Sequence, residues 1–71
     1  MERIVVFSSR GDDVLLEYDP ATANLDEVNA ALDKLEKQFA GRAFSMSTGE
    51  PVETVTPETK DTVIVRPIAG G

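Results

Sequence analysis

Residues 24–41, NLDEVNAALDKLEKQFAG, hold the pattern from which the architecture of this chain can be inferred. Their apolar residues recur at spacings of three, four or seven, which places them on one side of an α-helix, with most charged residues elsewhere. This stripe consists of Leu25, Val28, Ala31, Leu32, Leu35 and Phe39. Asn24 is a good N-cap, and Gly41 is the expected C-cap. The pattern therefore predicts one amphipathic helix that packs on another layer of structure.

Two segments rich in β-branched and aromatic residues precede the helix, at residues 3–9 and 14–18. Such segments favour β-strands. The break between them, residues 9–13, includes Gly11, which can adopt the positive φ of a tight turn. Pro20 is expected to end the second strand because proline cannot donate to a strand ladder. A hairpin is therefore predicted before the helix.

The part of the chain after the helix is also predicted to be mostly strand and turn. We expect a strand at 43–46, a turn at 48–51, a short edge strand at 51–55, a polar loop at 56–60 and a final strand at 62–68. The order is then β-β-α-β-(β)-β, an α+β arrangement in which one helix covers one face of a mixed sheet. The last strand can lie parallel to the first because the helix supplies the long crossover that this requires. This is the β-grasp architecture, and it leaves the second sheet face for water or a partner.

The composition limits the chemistry that the chain can perform by itself. Its 71 residues make one domain at most, and they include no cysteine and no histidine. The usual nucleophile, general base and commonest metal ligands are therefore missing. A net charge of -6 disfavours nucleic acid, and no apolar run approaches the roughly 18 residues of a membrane span. We expect a cytoplasmic protein without catalytic or metal-binding residues, which binds neither nucleic acid nor membrane.

The sequence closes on two glycines, Gly70 and Gly71, after a β-prone segment. Residues without side chains form a thin strand that can enter a narrow channel and place its carboxylate beside ATP. Adenylation would make that carboxylate a good acyl donor for a sulfur or amine nucleophile on another protein. We expect a domain at residues 1–68 and a flexible tail at 69–71. The other explanation of the glycines is a frayed or artificial terminus.

Residues 60–71, KDTVIVRPIAGG, resemble the closing pattern of ubiquitin-like β-grasp proteins: Asp, alternating apolar residues, Pro, an apolar residue, a small residue and Gly-Gly. They are most similar to the prokaryotic sulfur carriers of the molybdopterin-synthase small subunit and thiamine-biosynthesis type, with their archaeal ubiquitin-like modifier relatives. Residues 48–52 look like a turn that many members carry. The resemblance implies that an E1-like or ThiF-like enzyme uses ATP to adenylate Gly71, while this chain binds no cofactor. By the same resemblance, Gly70 is expected to be part of the activated tail.

The resemblance leaves the product of activation open. A sulfur carrier would form a C-terminal thiocarboxylate for a sulfur-accepting enzyme, whereas a protein modifier would form an isopeptide bond with lysines of target proteins. Arg66 stands where the molybdopterin-type pattern often has a second proline, and a basic residue here is more similar to ubiquitin. Lys34, Lys37 and Lys60 could accept another copy of the tail, or they could be ordinary solvated lysines. The third alternative is a non-covalent β-grasp interaction module.

Apolar residues on the uncovered sheet face would form the docking surface for the activating enzyme. The candidates for the tail and this surface are Phe44, Met46, Val65, Arg66, Pro67 and Ile68. Pro67 would stiffen the exit from the sheet because its φ is fixed. The alternative for the apolar candidates is a place in the core.

Overall fold

The computed structural model describes residues 1–8 and 11–66, which form one helix packed on a mixed four-stranded sheet. The elements are β1 (Glu2–Ser8), β2 (Gly11–Tyr18), α1 (Leu25–Phe39), β3 (Arg42–Ser45) and β4 (Thr62–Val65). The sheet order is β2-β1-β4-β3; the central strands β1 and β4 are parallel, and both outer pairs are antiparallel. The predicted α+β class and the parallel pairing of first and last strands are confirmed. This topology is compatible with a β-grasp-like fold.

The start of α1 agrees with the prediction. The Asn24 side-chain oxygen accepts hydrogen bonds from the backbone N–H groups of Asp26 (3.0 Å) and Glu27 (3.3 Å). These bonds satisfy two of the donors that a helix leaves unpaired at its first turn. Asp33 and Lys37, one helical turn apart, form an ion pair with 3.0 Å between carboxylate and ammonium. Because both side chains are largely exposed, this pair contributes little stability.

The end of α1 differs from the prediction, because Ala40 and not Gly41 adopts the left-handed cap conformation, with φ 52° and ψ 39°. Gly41 is needed for a different reason. A Cβ at this position would lie 2.7 Å from the Val65 carbonyl oxygen and 2.8 Å from Ile64 Cγ2. The missing side chain therefore allows the end of the helix to approach β4 closely.

The core lies between α1 and one face of the sheet. Its buried residues are Ile4, Val6, Tyr18, Val28, Leu32, Ala43, Val55 and Ile64. Leu25, Leu35 and Phe39 of the predicted helical stripe pack at its margin. The register of β1 against β2 shifts between Ile4 and Val5, so that Leu15 is an extra residue in β2. This bulge allows the consecutive Leu15 and Leu16 to contact the core together.

Two strand boundaries at the N-terminal hairpin and after the helix need correction. β2 begins at Gly11, opposite Ser8, and not at residue 14, so the break between the strands is shorter than predicted. Gly11 has φ 109°, as the sequence led us to expect. β3 covers Arg42–Ser45 and not residues 43–46, because the chain turns at Met46.

The possible edge strand at 51–55 does not form as a strand: Pro51 makes an isolated bridge with Phe44, and the Val52 N–H donates to the Ala43 carbonyl at 2.9 Å, but the pairing stops there. The reason lies in Asn29 of the helix. Its side-chain amide donates to the Val55 carbonyl (3.0 Å) and accepts from the Val55 N–H (2.7 Å). A side chain thus takes the backbone groups that a neighbouring strand would have used. β4 ends at Val65, and the rest of the predicted strand from residue 67 onwards lies outside the described residues.

Candidate functional site

The sheet face opposite α1, called the open face below, is apolar at its centre. Val5 pairs with Val14 on β2 and with Val63 on β4, and Val63 pairs with Phe44 on β3. Because paired residues project to the same side of a sheet, these four side chains form one row across all four strands. Val5 and Val63 are only 2% and 6% exposed, although they lie outside the core that faces the helix. Flanking side chains of the open face therefore cover them.

These flanking side chains are themselves accessible. Phe7, Met46 and Val65 are 50%, 41% and 46% exposed. Together with neighbours they line a shallow depression, called the apolar groove below, formed by Phe7, Phe44, Ser45, Met46, Gly49, Val63 and Val65. A contiguous exposed apolar surface in a small protein is typical of an interaction site.

The structure brings three of the predicted docking residues together. Phe44, Met46 and Val65 all line the apolar groove. The exposure of Met46 and Val65 argues against the alternative that they are core residues, whereas Phe44 is partly buried. Their role in docking a partner stays a prediction.

Arg66 is turned towards the end of the helix. Its guanidinium carbon lies 6.0 Å from the centre of the Phe39 ring, a distance at which a cation and an aromatic face attract each other. With Arg42 it also lines a second shallow depression beside Ala40 and Gly41. Arg66 thus borders the apolar groove without filling it.

The residues that would carry the chemistry, Gly70 and Gly71, lie outside the described residues, as do Pro67 and Ile68. Arg66, the last described residue, follows a central strand and lies next to Val65 of the apolar groove. The predicted roles of the tail therefore stay predictions.

The three lysines predicted as possible acceptors are exposed. Lys34 and Lys37 lie on α1, and Lys60 precedes β4. The Lys37 ammonium contacts Asp33, but its side chain is still 78% exposed. A modifying enzyme could reach each of them, and their use as acceptors stays a prediction.

Sequence reasoning missed the part of the open face that β1 and β2 contribute, namely Phe7, Val5 and Val14. The signal was present, because residues 4–7 are consecutive apolar residues, Ile-Val-Val-Phe. Such a run is typical of a strand that is buried on both faces. Since one helix covers a single face, the other side chains of the run belong to the open face.

Tyr18 is the one described residue with a clearly displaced pKa. Its hydroxyl is buried on the helix side of the sheet and has no hydrogen-bond partner among the described residues. Burial raises the pKa of Tyr18 above its ordinary value, and the negative charges of Glu2 and Asp61 raise it further. The group lies away from the apolar groove, so we assign it a structural and not a chemical role.

Residues 1–8 and 11–66 contain no group of three or more histidines, cysteines or carboxylates that could hold a metal ion. In the same part of the chain no helix is long and apolar enough to cross a membrane. Comparison of the chain with protein-family models, with curated proteins and with solved structures found no match. Its function is therefore inferred from the residues and the geometry described above.

Proposed function

We propose that this chain is a ubiquitin-like β-grasp carrier protein, whose Gly71 carboxylate is activated by an E1-like or ThiF-like adenylating enzyme and then carries sulfur as a thiocarboxylate. The observation that carries the proposal is the position of the apolar groove. It lies beside the end of β4, and the sequence continues from there to Gly70 and Gly71. A partner that binds the groove is thus close to the segment on which it would act.

The topology supports the same assignment. A hairpin, a crossover helix and a last strand parallel to the first are the elements of a β-grasp fold. The finer, ubiquitin-like assignment rests in addition on the closing pattern of residues 60–71. Both features are consistent with the proposed carrier protein.

The proposed reaction needs no catalytic group from this chain. The Gly71 carboxylate attacks the α-phosphate of ATP and pyrophosphate leaves, which forms an acyl-adenylate. The terminal sulfur of a persulfide on the partner then attacks the acyl carbon and AMP leaves. A partner thiol attacks the inner sulfur of the resulting acyl disulfide, which releases the thiocarboxylate on Gly71 and leaves a disulfide on the partner. A chain without cysteine or histidine is suited to this role, because base, nucleophile and ATP site all belong to the partner. The proposal places the protein in the cytoplasm, where ATP and such enzymes are found.

The docking surface would be the exposed part of the apolar groove. Phe7, Met46 and Val65 are apolar side chains in contact with water. A partner that covers them removes this apolar surface from water, which favours binding, and no part of this chain has to unfold. Arg42 and Arg66 lie at the rim near the end of β4 and could pair with carboxylates of the partner. No nucleic acid or membrane is part of the proposal.

The test is the intact mass of the N-terminally tagged protein isolated from its own host. We expect a fraction whose mass corresponds to replacement of one oxygen of the Gly71 carboxylate by sulfur. The matched control lacks Gly71 but keeps all described residues, and it should fold equally well and carry no sulfur. An unmodified mass in every preparation, under conditions in which the host needs the protein, would contradict sulfur transfer.

The second candidate is the protein modifier, and the exposed Lys34, Lys37 and Lys60 would allow such a modifier to accept further copies of its own tail. An anti-tag blot of the same cells distinguishes it. A ladder of larger species that disappears without Gly71 would identify a modifier. Full function of a Gly70→Ala, Gly71→Ala variant would instead identify a non-covalent interaction module.

A further inference from the structure

The open face has opposite charges at its two edges. Asp12 on β2 pairs with Phe7 on β1, and Arg42 on β3 pairs with Val65 on β4. Since Val6 pairs with Ile64, the next residues Phe7 and Val65 are neighbours as well. The result is a cross-strand row, called the charged row below, in the order Asp12, Phe7, Val65, Arg42. The row of Val14, Val5, Val63 and Phe44, called the apolar row, lies beside it.

Asp12 and Arg42 do not neutralise each other within one molecule. Three strand spacings separate them, which is about 14 Å. Both residues are exposed, and among the described residues no ion pair involves either side chain. Each is therefore available to a group outside the molecule.

We propose that the open face binds the open face of a second copy of this chain, in a dimer whose two-fold axis lies between the sheets and runs along the strands. A rotation of half a turn about this axis reverses the order of the strands but does not shift any residue along the strand direction. Each row therefore faces the same row of the second copy. β2 then faces β3 of the second copy, and β1 faces β4 of the second copy. Two-fold interfaces require such a self-complementary surface.

The charged row is self-complementary under this rotation. Asp12 faces Arg42 of the second copy, and Arg42 faces Asp12 of the second copy, so two opposite-charge pairs form at once. Phe7 faces Val65 of the second copy in the middle of the row. A row with two acids or two bases at its ends would place like charges opposite each other, which is unfavourable.

The rows beside it fit the same arrangement. In the apolar row, Val14 faces Phe44 of the second copy, and Val5 faces Val63 of the second copy. On the other side of the apolar row, Arg3 is next to Asp61, because Ile4 pairs with Thr62 and the Arg3 guanidinium contacts the Asp61 carboxylate at 3.4 Å. Rotation places Arg3 opposite Asp61 of the second copy. Glu17 pairs with Arg3 and Met46 lies beside Asp61, so rotation places Glu17 opposite Met46 of the second copy. The axis therefore brings no like charges together in these three rows.

The size of the face predicts a weak dimer. Four strands are about 19 Å wide and the three rows cover a similar length, so that roughly 400 Å² is covered on each copy. A total near 800 Å² lies below the range of stable complexes, which begins at about 1,200 Å². We expect mostly monomer at about 10 μM and substantial dimer near 1 mM, since a small interface corresponds to a Kd well above the nanomolar range.

The dimer would cover the apolar groove, so it and a complex with an activating enzyme exclude each other. It does not depend on Gly71 and could form in a protein with any of the three candidate functions. A variant that lacks Gly71 should therefore dimerise like the unchanged protein. Dimerisation can therefore be tested independently of the proposed carrier function, and either hypothesis can fail without the other.

A charge exchange measured by sedimentation velocity tests the dimer. Asp12→Arg places two bases opposite each other in the homodimer, and Arg42→Glu places two acids opposite each other. We expect each variant alone to stay monomeric near 1 mM, a concentration at which the unchanged protein dimerises. An equimolar mixture of the two variants restores both opposite-charge pairs and should dimerise again.

Glu58→Arg and Lys34→Glu are the matched controls, since they make the same charge changes at exposed positions outside the open face. They should dimerise like the unchanged protein, and circular dichroism should show the same fold for all four variants. A monomer at every concentration would overturn the proposal and leave the open face to a different partner. Dimers of the single variants, or a mixture that stays monomeric, would equally overturn it.

Discussion

Asn29 binds both backbone polar groups of Val55 with its single side-chain amide, at 3.0 Å to the carbonyl oxygen and 2.7 Å to the nitrogen. The same Nδ2 also donates to the Leu25 carbonyl within α1 at 2.9 Å. Val55 is 2% exposed and belongs to the core. One polar side chain of the helix thus fixes the irregular segment between β3 and β4, and with it the approach to the strand that precedes the tail.

Replacement of Asn29 by alanine should therefore destabilise the fold. The change leaves the Val55 N–H and carbonyl without partners in a partly buried site, so we expect a loss of about 2 to 3 kcal/mol in the free energy of unfolding. Urea denaturation measures it. Gln38→Ala, at an exposed position of the same helix, is the control and should change stability by less than about 0.5 kcal/mol. An Asn29 variant as stable as this control would mean that the two bonds contribute nothing.

Exchange of alanine and glycine at the end of α1 should change the free energy of unfolding in opposite directions at Ala40 and at Gly41. Ala40→Gly should stabilise by about 0.5 to 1 kcal/mol, because Ala40 has a positive φ that glycine adopts without strain. Gly41→Ala should destabilise by about 1 to 3 kcal/mol, because its Cβ would meet the Val65 carbonyl at 2.7 Å. Thermal unfolding of both variants checks this pair. A destabilised Ala40→Gly variant would show that the left-handed position is not strained.

Tyr18→Phe should leave stability at neutral pH unchanged or raise it slightly. The buried hydroxyl has no partner among the described residues, so its removal takes away no bond that the structure shows. Chemical denaturation at neutral pH measures this effect. A large destabilisation would indicate that the hydroxyl does form a bond in solution.

The same tyrosine predicts the alkaline behaviour of the protein. The pKa of Tyr18 is raised in the folded state above its ordinary value of 10.0, so the unfolded chain releases this proton first. The contribution of Tyr18 to the free energy of unfolding has its full value below pH 10.0, and it decreases as the pH rises from 10.0 through the pKa of the folded state. We expect a decline in the free energy of unfolding above pH 10 that is smaller in Tyr18→Phe. Equal slopes for both proteins would contradict the raised pKa.

Charge placed in the apolar groove should reduce activation of the tail. Val65→Glu puts a carboxylate into a surface that the activating enzyme would cover, and we expect docking at least tenfold weaker, about 1.4 kcal/mol, with a lower fraction of thiocarboxylate as the result. The measurement is the intact mass of protein from the host. Gln38→Glu adds the same charge on the exposed side of α1 and should keep the normal fraction. Normal modification of both variants would mean that the enzyme docks elsewhere.

Several elements could be predicted because their causes are local. The α1 helix follows from the spacing of Leu25, Val28, Leu32 and Leu35 and from the Asn24 cap, which act within a few residues of one another. The parallel pairing of β1 and β4 follows from the crossover that the helix provides. Of the candidate site, Phe44, Met46 and Val65 could be named in advance, since they flank or belong to the last strands.

Other features could not be predicted because their causes lie far away in the sequence. Residues 51–55 are β-prone, yet Asn29 takes the Val55 backbone groups, so no edge strand forms. Likewise, glycine is the usual residue at a left-handed cap, but the close approach to Val65 requires it one position later, at Gly41. Phe7 was missed because its exposure depends on which sheet face the single helix covers.

The sequence by itself determined the helix, the β-prone segments, the absence of cysteine and histidine and the Gly70-Gly71 pair, all of which depend on residue identity and short-range spacing. Only the tertiary structure decided which residues share the open face. The bulge at Leu15 adds one residue to β2, so the side chains before the bulge project to the face opposite to the one that simple alternation from Leu16 would give them. Asp12 therefore shares a face with Phe7, Val65 and Arg42. The sequence of one strand does not contain this information, since strand register is set by pairing and packing across the sheet.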